Sequence, residues 1–446
     1  MSDAPWSGRR LHFIGIGGAG MSGLAIVALG LGARVSGSDR AESSYSARLR
    51  EAGVEPVIGH DAANVPPGAE VVVSTAIGED NPELMAARDA GLEVLHRGAL
   101  LGEVSRLKRC IAIAGTHGKT TTASLVAHTL VACGRRPAYL VGGEVRSTGT
   151  NASWGQGDWV VVEADESDRS FLELEPDVAV ITNVELDHHA TYRSLPEVEA
   201  AFAEFSARAP TVIAPAGLEL HDVPPSVTFG LDSGTFSARE LELVSLGSRF
   251  KTDGAAVELR VPGRHNVLNA LAALAACAQA GVEPAEAAEA LVGFLGAGRR
   301  FEAHGRTAAG ALVYDDYAHH PTEVRATLDA ARTLEPERLV AVFQPHLYSR
   351  TSHLAREFGR ALALADLVVV LDIYPARERA EDFPGVSGWL VAGATADAAH
   401  GRPVYWLPTL SDAEGFLRGE LRDGDLLLTL GAGDVDGLAK RLADWA

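Results

Sequence analysis

Short apolar runs, each closed by glycine or a polar cluster and followed by an alanine-rich stretch, recur from one end of the chain to the other. "LHFIGIG" reads as a strand, "AGMSGLAIVALGLG" as a turn and helix, "ARVSGSD" as a second strand, and "EVVVSTAI" as a later one. "LEVLHRGALLGEV" gives a short strand and a helix. The pattern restarts with "CIAIAGTHGKTTTASLVAHTLVACG" and continues through the strands "DWVVVEADESD" and "DVAVITNVELDHH". "RHNVLNALAALAACAQAG" is a predicted helix, with Gly281 as its expected C-cap. Near "GRRFEAHG" a third series begins, with strands in "LVYDDY", "RLVAVFQPH", "DLVVVLDIYP" and "DLLLTLGAGD". This alternation predicts an α/β protein with mainly parallel sheets, in three blocks spanning 1–107, 108–298 and 299–446. In every block the apolar strands end in polar or glycine residues, where open parallel sheets place their ligands.

One stretch departs from the pattern. From Phe13 to Ala33 no residue is charged, which satisfies a length test for a membrane span. Seven of those positions are glycine, however, so a strand, a glycine turn and a buried helix account for it better. Charge changes the picture further. A formal net charge of −20 argues against a non-specific binder of nucleic acid or anionic membrane, which needs clustered lysine and arginine. Three scattered cysteines, Cys110, Cys133 and Cys277, have no metal-ligand spacing and fit a reducing cytoplasm. A cytoplasmic protein, monomeric or homodimeric, with neither nucleic-acid nor membrane partner is expected.

The chemistry concentrates at strand ends. "GTHGKTTT" follows an apolar strand and opens a helix, as a phosphate-cradling loop does. It is shorter than the usual loop: Ile113 stands where the first glycine would fall, and Gly115 takes its place. Lys119 would reach the β- and γ-phosphates, and the Thr120 hydroxyl would ligate Mg²⁺ or Mn²⁺. "WVVVEADESD" supplies an acidic metal partner, Glu163 first and Asp165 second. "TNVELDHH" crowds Asn183, Glu185, Asp187, His188 and His189 at the end of another strand, where a histidine on a second divalent ion is chemically reasonable. The first block carries a different glycine loop. Gly15, Gly17 and Gly20 complete G-x-G-x-x-G after a strand, and Asp39 ends the next. Alone, this is a dinucleotide fingerprint with Asp39 on a ribose hydroxyl, so an NAD-linked dehydrogenase is a rival reading. Hydride transfer needs neither Lys119 nor the acidic strand ends.

"GTHGKTTT", "EADESD", "NVELDHH", "GRHNVLNALAA" and "DDYAHHPTEV", in this order and at these separations, resemble the ATP-dependent Mur ligases of peptidoglycan synthesis. The resemblance runs from "GIGGAGMSG" to "LLTLGAGDV". It implies a Rossmann-like first domain for a UDP-sugar, a central P-loop ATPase-type domain and a Rossmann-like third domain for an amino acid. "HFIGIGGAGMSGLA" with "GSD" resembles the branch that adds L-alanine to UDP-N-acetylmuramate. Later branches typically use a carbamoylated lysine near the second metal, and no lysine lies between Lys119 and Lys251, so His188 is expected in that role.

The resemblance also assigns residues. ATP would meet Gly115, Thr116, His117, Gly118, Lys119, Thr120 and Thr121, with Asn266 and Asn269 at the adenine and Asp316 at the ribose, supported by Asp315. Metal ligands would be Thr120, Glu163 and His188. The UDP-sugar would lie on Gly15, Gly17, Gly18, Gly20, Asp39, Ser74, Thr75 and Ala76, with His96 and Arg97 towards the uridine. Tyr317, His319, His346 and Arg350 would receive the amino acid, Arg350 holding its carboxylate as an arginine fork does well. Lys119, Arg300 and His319 are the expected catalytic groups, with Arg299 the neighbouring candidate to Arg300 and His319 accepting the amine's proton. Two positions depart from the family pattern: Leu347 stands where a second arginine is frequent, and Ala190 where an aspartate is. The implied reaction is ATP-dependent amide-bond formation through an acyl phosphate. Rivals are a recycling ligase that attaches a whole murein tripeptide to the same sugar and a non-enzymatic descendant. Intact Lys119, Thr120, Glu163 and His188 speak against the latter.

Overall fold

The computed structural model describes residues 4–220 and 223–443; the outermost residues of the expected first and third blocks, and two in the second, lie outside these. The alternation of apolar runs and alanine-rich stretches folds into three α/β units, each around its own sheet. In the first, five parallel strands stand in the order Val57–Ile58, Arg34–Asp39, Arg10–Ile14, Glu70–Val73, Val94–His96. The central sheet has eight strands. Its middle is Val178–Ile181, Arg109–Ala114 and Trp159–Glu163, all parallel, and a hairpin of Ala138–Val145 and Thr150–Ser153 closes one edge. Beside it lies a small antiparallel sheet of Arg239–Val244, Gly247–Thr252 and Ala255–Leu259, in the stretch where the sequence is richest in short strand-like pieces. The third unit orders its strands Glu302–Arg306, Leu312–Asp316, Asp425–Leu430, Arg338–Phe343, Leu367–Val370, Val404–Trp406, and only the first pair is antiparallel.

The uncharged stretch has a structural explanation. Helix Ala19–Gly30 packs on its own sheet and against the central hairpin, so it is apolar on more than one face. Leu24, Val27 and Leu31 share one buried cluster with Ala112, Val160 and Val162 of the central unit. A burial of this kind, and not a bilayer, is what the absence of charge serves. Among the described residues no helix is long and apolar enough to cross a membrane. The helix beginning at Arg264 ends at Gln279 with Ala280 as its cap; Gly281 lies one residue beyond, at φ +74°. The predicted cap is therefore displaced by one position, since a left-handed residue belongs just past the cap.

The third unit contains a test of close packing. Helices Tyr348–Leu362 and Gly388–Ala398 approach so closely that a β-carbon on Gly359 would lie 2.5 Å from the backbone of Ala394. Gly415, on the surface helix Leu410–Glu420, has open space around the same position. Helix propensity favours alanine at both sites by about 1 kcal/mol. The backbone clash outweighs that at Gly359, where alanine should destabilise by roughly 1–3 kcal/mol. At Gly415 alanine should stabilise by about 0.5–1 kcal/mol. Denaturant unfolding of the two variants checks the opposite signs.

Candidate active site

Both glycine loops lead into helices whose first turns no side chain caps. Gly18 precedes Ala19–Gly30, and Gly118, at φ +80°, precedes Lys119–Ala132. Their amides are left for an anion. The Lys119 loop is held by the neighbouring strand end: Thr116 N donates to Asn183 O, and His117 N to Asn183 Oδ1 at 2.9 Å. Gly115, at φ +137°, lies where any β-carbon would overlap Thr182 Oγ1. The glycine at this position is thus required by both conformation and space, which is why the shortened loop keeps it.

A cleft of about 710 Å³ opens where the three units meet. Thr116, Gly118, Lys119, Thr120, Glu163 and His188 line it from the central unit. Arg300, Tyr317, His319, His346 and Arg350 line it from the third, and Tyr45 and Arg48 from the first. All three expected metal ligands therefore share one cavity with all four expected amino-acid residues and all three expected catalytic groups. None of the expected UDP-sugar residues lines it. Its border with the first glycine loop is Ala19, beside Gly20.

Within the cleft, Thr120 Oγ1 donates to Glu163 Oε1 at 2.9 Å, and Glu163 Oε2 accepts from Gly142 N at 2.6 Å. Lys119 Nζ donates to the carbonyls of Gly115 and Thr116 and to Glu166 Oε1 at 2.9 Å. His188 Nε2 faces the same Glu166 oxygen at 3.1 Å. Glu166 is buried and joins two residues that the sequence had singled out separately. Sequence reading stopped at Glu163 and Asp165; the signal for Glu166 was only its place on the same acidic loop. Burial works against a charged Lys119, but Glu166, Asp165 and Glu163 outweigh it and hold the ammonium above its ordinary value. Burial would raise Asp165 as well, yet Arg97 and Lys119 keep it well below the usual carboxylate range.

Several expected ligand contacts are occupied by the protein itself. Asp39 Oδ2 accepts from Gly17 N at 2.9 Å, so it braces the first loop's own backbone. Ser74 to Ile77 form a turn after their strand, closed by Ile77 N donating to Ser74 O at 3.1 Å, with Thr75 and Ala76 exposed. His96 caps the helix that follows it, accepting from Gly98 N. Arg97 reaches across to Asp165 and Asp168 at 2.8 and 2.9 Å, tying the first unit to the central one. Asn266 and Asn269 are buried and bonded to Pro262 O and to each other, and Asn269 Oδ1 accepts from Thr122. They lie beneath the Lys119 loop: a β-carbon on Gly118 would meet Asn269 Oδ1 at 2.5 Å.

Asp316 accepts from Phe301 N and Ala318 N, both at 2.8 Å, and burial, opposed by Arg300, pushes it up to about 6. Asp315 holds Arg299, whose NH1 and NH2 groups donate to Gly433 O and Gly431 O. Both neighbouring arginines stand over the Tyr317 ring, at 5.0 and 5.2 Å from its centroid, and Arg299 alone is also fixed by hydrogen bonds inside the third unit.

Two charged contacts stand out between the central and third units. Arg350 Nε and NH2 donate to the two oxygens of Asp187 at 3.1 Å each, with both side chains buried. The fork expected to wait for a carboxylate already holds one. Its NH1 faces His346 Nδ1 at 3.2 Å. Burial would raise Asp187, but Arg350 and the neighbouring histidines hold it far below the usual range. The second contact is His117, with Nδ1 on Glu323 Oε1 at 3.2 Å and Nε2 on Glu185 Oε2 at 3.4 Å. Carboxylates only accept, so both ring nitrogens carry protons. Burial alone would lower His117, but Glu185 and Glu323 raise it to about 9. His117, Glu185 and His320 bring ligand-capable atoms within 4.8 Å of one another, yet with both His117 nitrogens donating the group is closed as an ion-pair network.

His319 Nδ1 lies 3.0 Å from Tyr317 O, which places its proton on Nδ1 and leaves Nε2 to accept. Burial pushes His319 down to about 4 and His346, beside Arg350, to about 3, so both are neutral at physiological pH.

Comparison with known proteins bears on the whole chain. Residues 10–109 match the Mur ligase family catalytic domain, 113–277 the Mur ligase middle domain and 299–433 the Mur ligase glutamate ligase domain. A UDP-N-acetylmuramate–L-alanine ligase of Acidithiobacillus ferrooxidans is 46% identical over 459 residues, covering 98% of this chain and 97% of that one. Among solved structures, the UDP-N-acetylmuramate-alanine ligase of Thermotoga maritima superposes with a TM-score of 0.85 at 32% identity, covering 98% of each chain. A murein peptide ligase from Psychrobacter arcticus has a TM-score of 0.73 at 26% identity, again over 98% of each.

The His117 network has a pH signature. In the unfolded chain His117 titrates near 6.5 and in the fold near 9. Its contribution is complete below about pH 6.5 and is lost as pH rises through 9. His320 acts in the other direction, since burial and His117 push it down to about 4 and its stabilisation is lost as pH falls from 6.5. Between pH 6.5 and 9 the wild type should therefore lose roughly 2–3 kcal/mol that His117→Asn does not lose. Chemical denaturation of both proteins across that range measures the difference.

Proposed function

The chain belongs to the Mur ligase family, and we infer that it joins L-alanine to the carboxylate of UDP-N-acetylmuramate, releasing ADP and phosphate. A free carboxylate is a poor acylating agent because its leaving group would be oxide. Transfer of the γ-phosphoryl group of ATP to a carboxylate oxygen converts it to an acyl phosphate. The alanine amine then attacks the carbonyl carbon, a tetrahedral intermediate forms, the nitrogen's surplus proton passes by way of His319 Nε2 to solvent, and phosphate leaves with the former carboxylate oxygen. The observation that carries this reading is the single cleft in which Lys119, Thr120 and Glu163 face Tyr317, His319 and His346 from another domain. Phosphoryl donor and amine acceptor chemistry meet there.

We assign the residues as follows. The phosphates lie on the loop of Gly115, Thr116, His117 and Gly118, which Asn183 shapes by holding Thr116 N and His117 N, and take hydrogen bonds from the helix amides that follow at Thr120 and Thr121, while Lys119 leaves Glu166 to neutralise charge on the transferred group. Arg300, over Tyr317 but without the hydrogen bonds that fix Arg299, adds a second cation. Asp316 meets the ATP ribose while bracing the turn at Phe301, and Asn266 and Asn269 line the adenine side from below the loop. The sugar diphosphate rests on the first glycine loop, with Asp39 shaping Gly17 for it and Ser74, Thr75 and Ala76 beside it. His319, neutral and with Nε2 free to accept, receives a hydrogen bond from the attacking amine.

The residues also fit a divalent ion. Thr120 and Glu163 place a hydroxyl and a carboxylate oxygen 2.9 Å apart, the hard-oxygen set magnesium prefers, and Glu166 and His188 form a second pair. Magnesium there would supply charge neutralisation on the phosphates. We further propose domain limits at 107/108 and 298/299, a cytoplasmic location where ATP is available, and a monomer or homodimer without nucleic-acid or membrane partners.

Purified protein given Mg-ATP, UDP-N-acetylmuramate and L-alanine should release phosphate only when all three are present, and the sugar product should gain the mass of one alanine residue. Turnover with a murein tripeptide but not with alanine would assign it to the recycling reaction instead. Lys119→Ala should lower kcat/KM by roughly 10²–10³-fold, the loss typical of one group stabilising transition-state charge.

A further inference from the structure

The cleft must hold a small zwitterion by its carboxylate, yet nearly every cation on that side is already engaged. Arg350 spends Nε and NH2 on Asp187 and points NH1 at His346. Arg299 is fixed by Asp315, Gly431 and Gly433. Arg48 is paired with Glu144 and Lys440 with Asp436, and Arg300, over Tyr317, is assigned above to the transferred phosphate. Arg377 also lines the cleft, and its guanidinium has no hydrogen bond or ion pair with any described residue.

Its neighbours hold it there. Arg377 follows the strand Leu367–Val370 on a loop fastened to the start of helix Tyr348–Leu362. Tyr374 bridges to His346 and accepts a hydrogen bond from Leu347 N at 3.1 Å, and its ring stacks on His346 at 5.9 Å. Glu378 accepts from Ser349 N at 2.9 Å and from the Ser349 hydroxyl. Arg377 is therefore an exposed cation between two anchored residues, close enough to His346 to help keep that imidazole neutral. Leu347, buried on the cleft wall beside it, brings no charge of its own.

We propose that Arg377 is the residue that binds the carboxylate of the incoming amino acid, while Arg350 acts as a positioning residue that holds the third domain on Asp187. A guanidinium and a carboxylate pair through two parallel hydrogen bonds, which fixes the amino acid's orientation as well as its charge. His319, His346 and the apolar Leu347 line the same cleft as Arg377, so partners for the amine and the methyl group stand in the cavity that holds the carboxylate. The inference rests on the alanine-ligase reading above.

The test compares wild type, Arg377→Ala and Arg377→Lys, following phosphate release with L-alanine and with L-alaninamide, which lacks the carboxylate. Arg377→Ala should raise KM for L-alanine roughly 10- to 100-fold and leave KM for ATP and UDP-N-acetylmuramate within about twofold. It should also erase most of the wild type's preference for alanine over alaninamide, and Arg377→Lys should fall between. An unchanged alanine KM, or an equal rise for all three substrates with the alaninamide preference intact, would overturn the assignment. Wild type that shows no alanine-dependent phosphate release would instead overturn the function on which it rests.

Discussion

The buried pair of Asp187 and Arg350 is the contact on which the geometry of the cleft depends. It joins residues 163 positions apart in sequence, one in the loop that follows the central strand Val178–Ile181 and one in the first turn of a helix of the third domain. Two charges removed from water are tolerated only with good geometry and further partners. Here the carboxylate meets the guanidinium through two bonds, and the remaining guanidinium nitrogen meets His346. Removing one partner of such a pair would leave an uncompensated buried charge, a loss of roughly 3–5 kcal/mol. The His117 network reinforces the same junction, and the Arg97 contacts to Asp165 and Asp168 tie the first unit to the central one. Together they set three strand-end surfaces facing each other across one cavity.

That arrangement suits the proposed chemistry. An acyl phosphate hydrolyses in water, so the site that makes it must exclude water while admitting an amine. A cleft built between domains can do both, opening to exchange substrates and closing to react. The charges are also distributed usefully. Glu166 holds Lys119 and faces His188, so the lysine is kept protonated and within reach of the phosphate loop. The burial that keeps Lys119 and Glu166 from water also keeps His319 and His346 neutral.

Much of this was legible in the sequence because it is local. A strand, a glycine turn and a helix N-terminus lie within a dozen residues, so both loops could be read from spacing alone. Thr120, Glu163 and His188 could be chosen because each ends or follows an apolar strand, and parallel strands bring those ends together. What could not be read is pairing at a distance. Glu166 on Lys119, Asp187 on Arg350, Asp165 on Arg97 and Glu323 on His117 all depend on how the domains meet, and no periodicity encodes that. Asn266 and Asn269 share a helix face as expected, but which neighbour that face meets was hidden, and it proves to be the underside of the phosphate loop. Tyr45, Arg48 and Arg377 carry no motif at all and enter the cleft only through tertiary structure.

The central claim is that the cleft activates a carboxylate by phosphorylating it, and the fate of one oxygen atom tests this most directly. UDP-N-acetylmuramate labelled with ¹⁸O in its carboxylate is converted with unlabelled ATP and L-alanine, and the released phosphate is weighed by mass spectrometry. An acyl phosphate requires that each released phosphate carry one oxygen from the carboxylate. Unlabelled phosphate alongside labelled amide product would contradict the account.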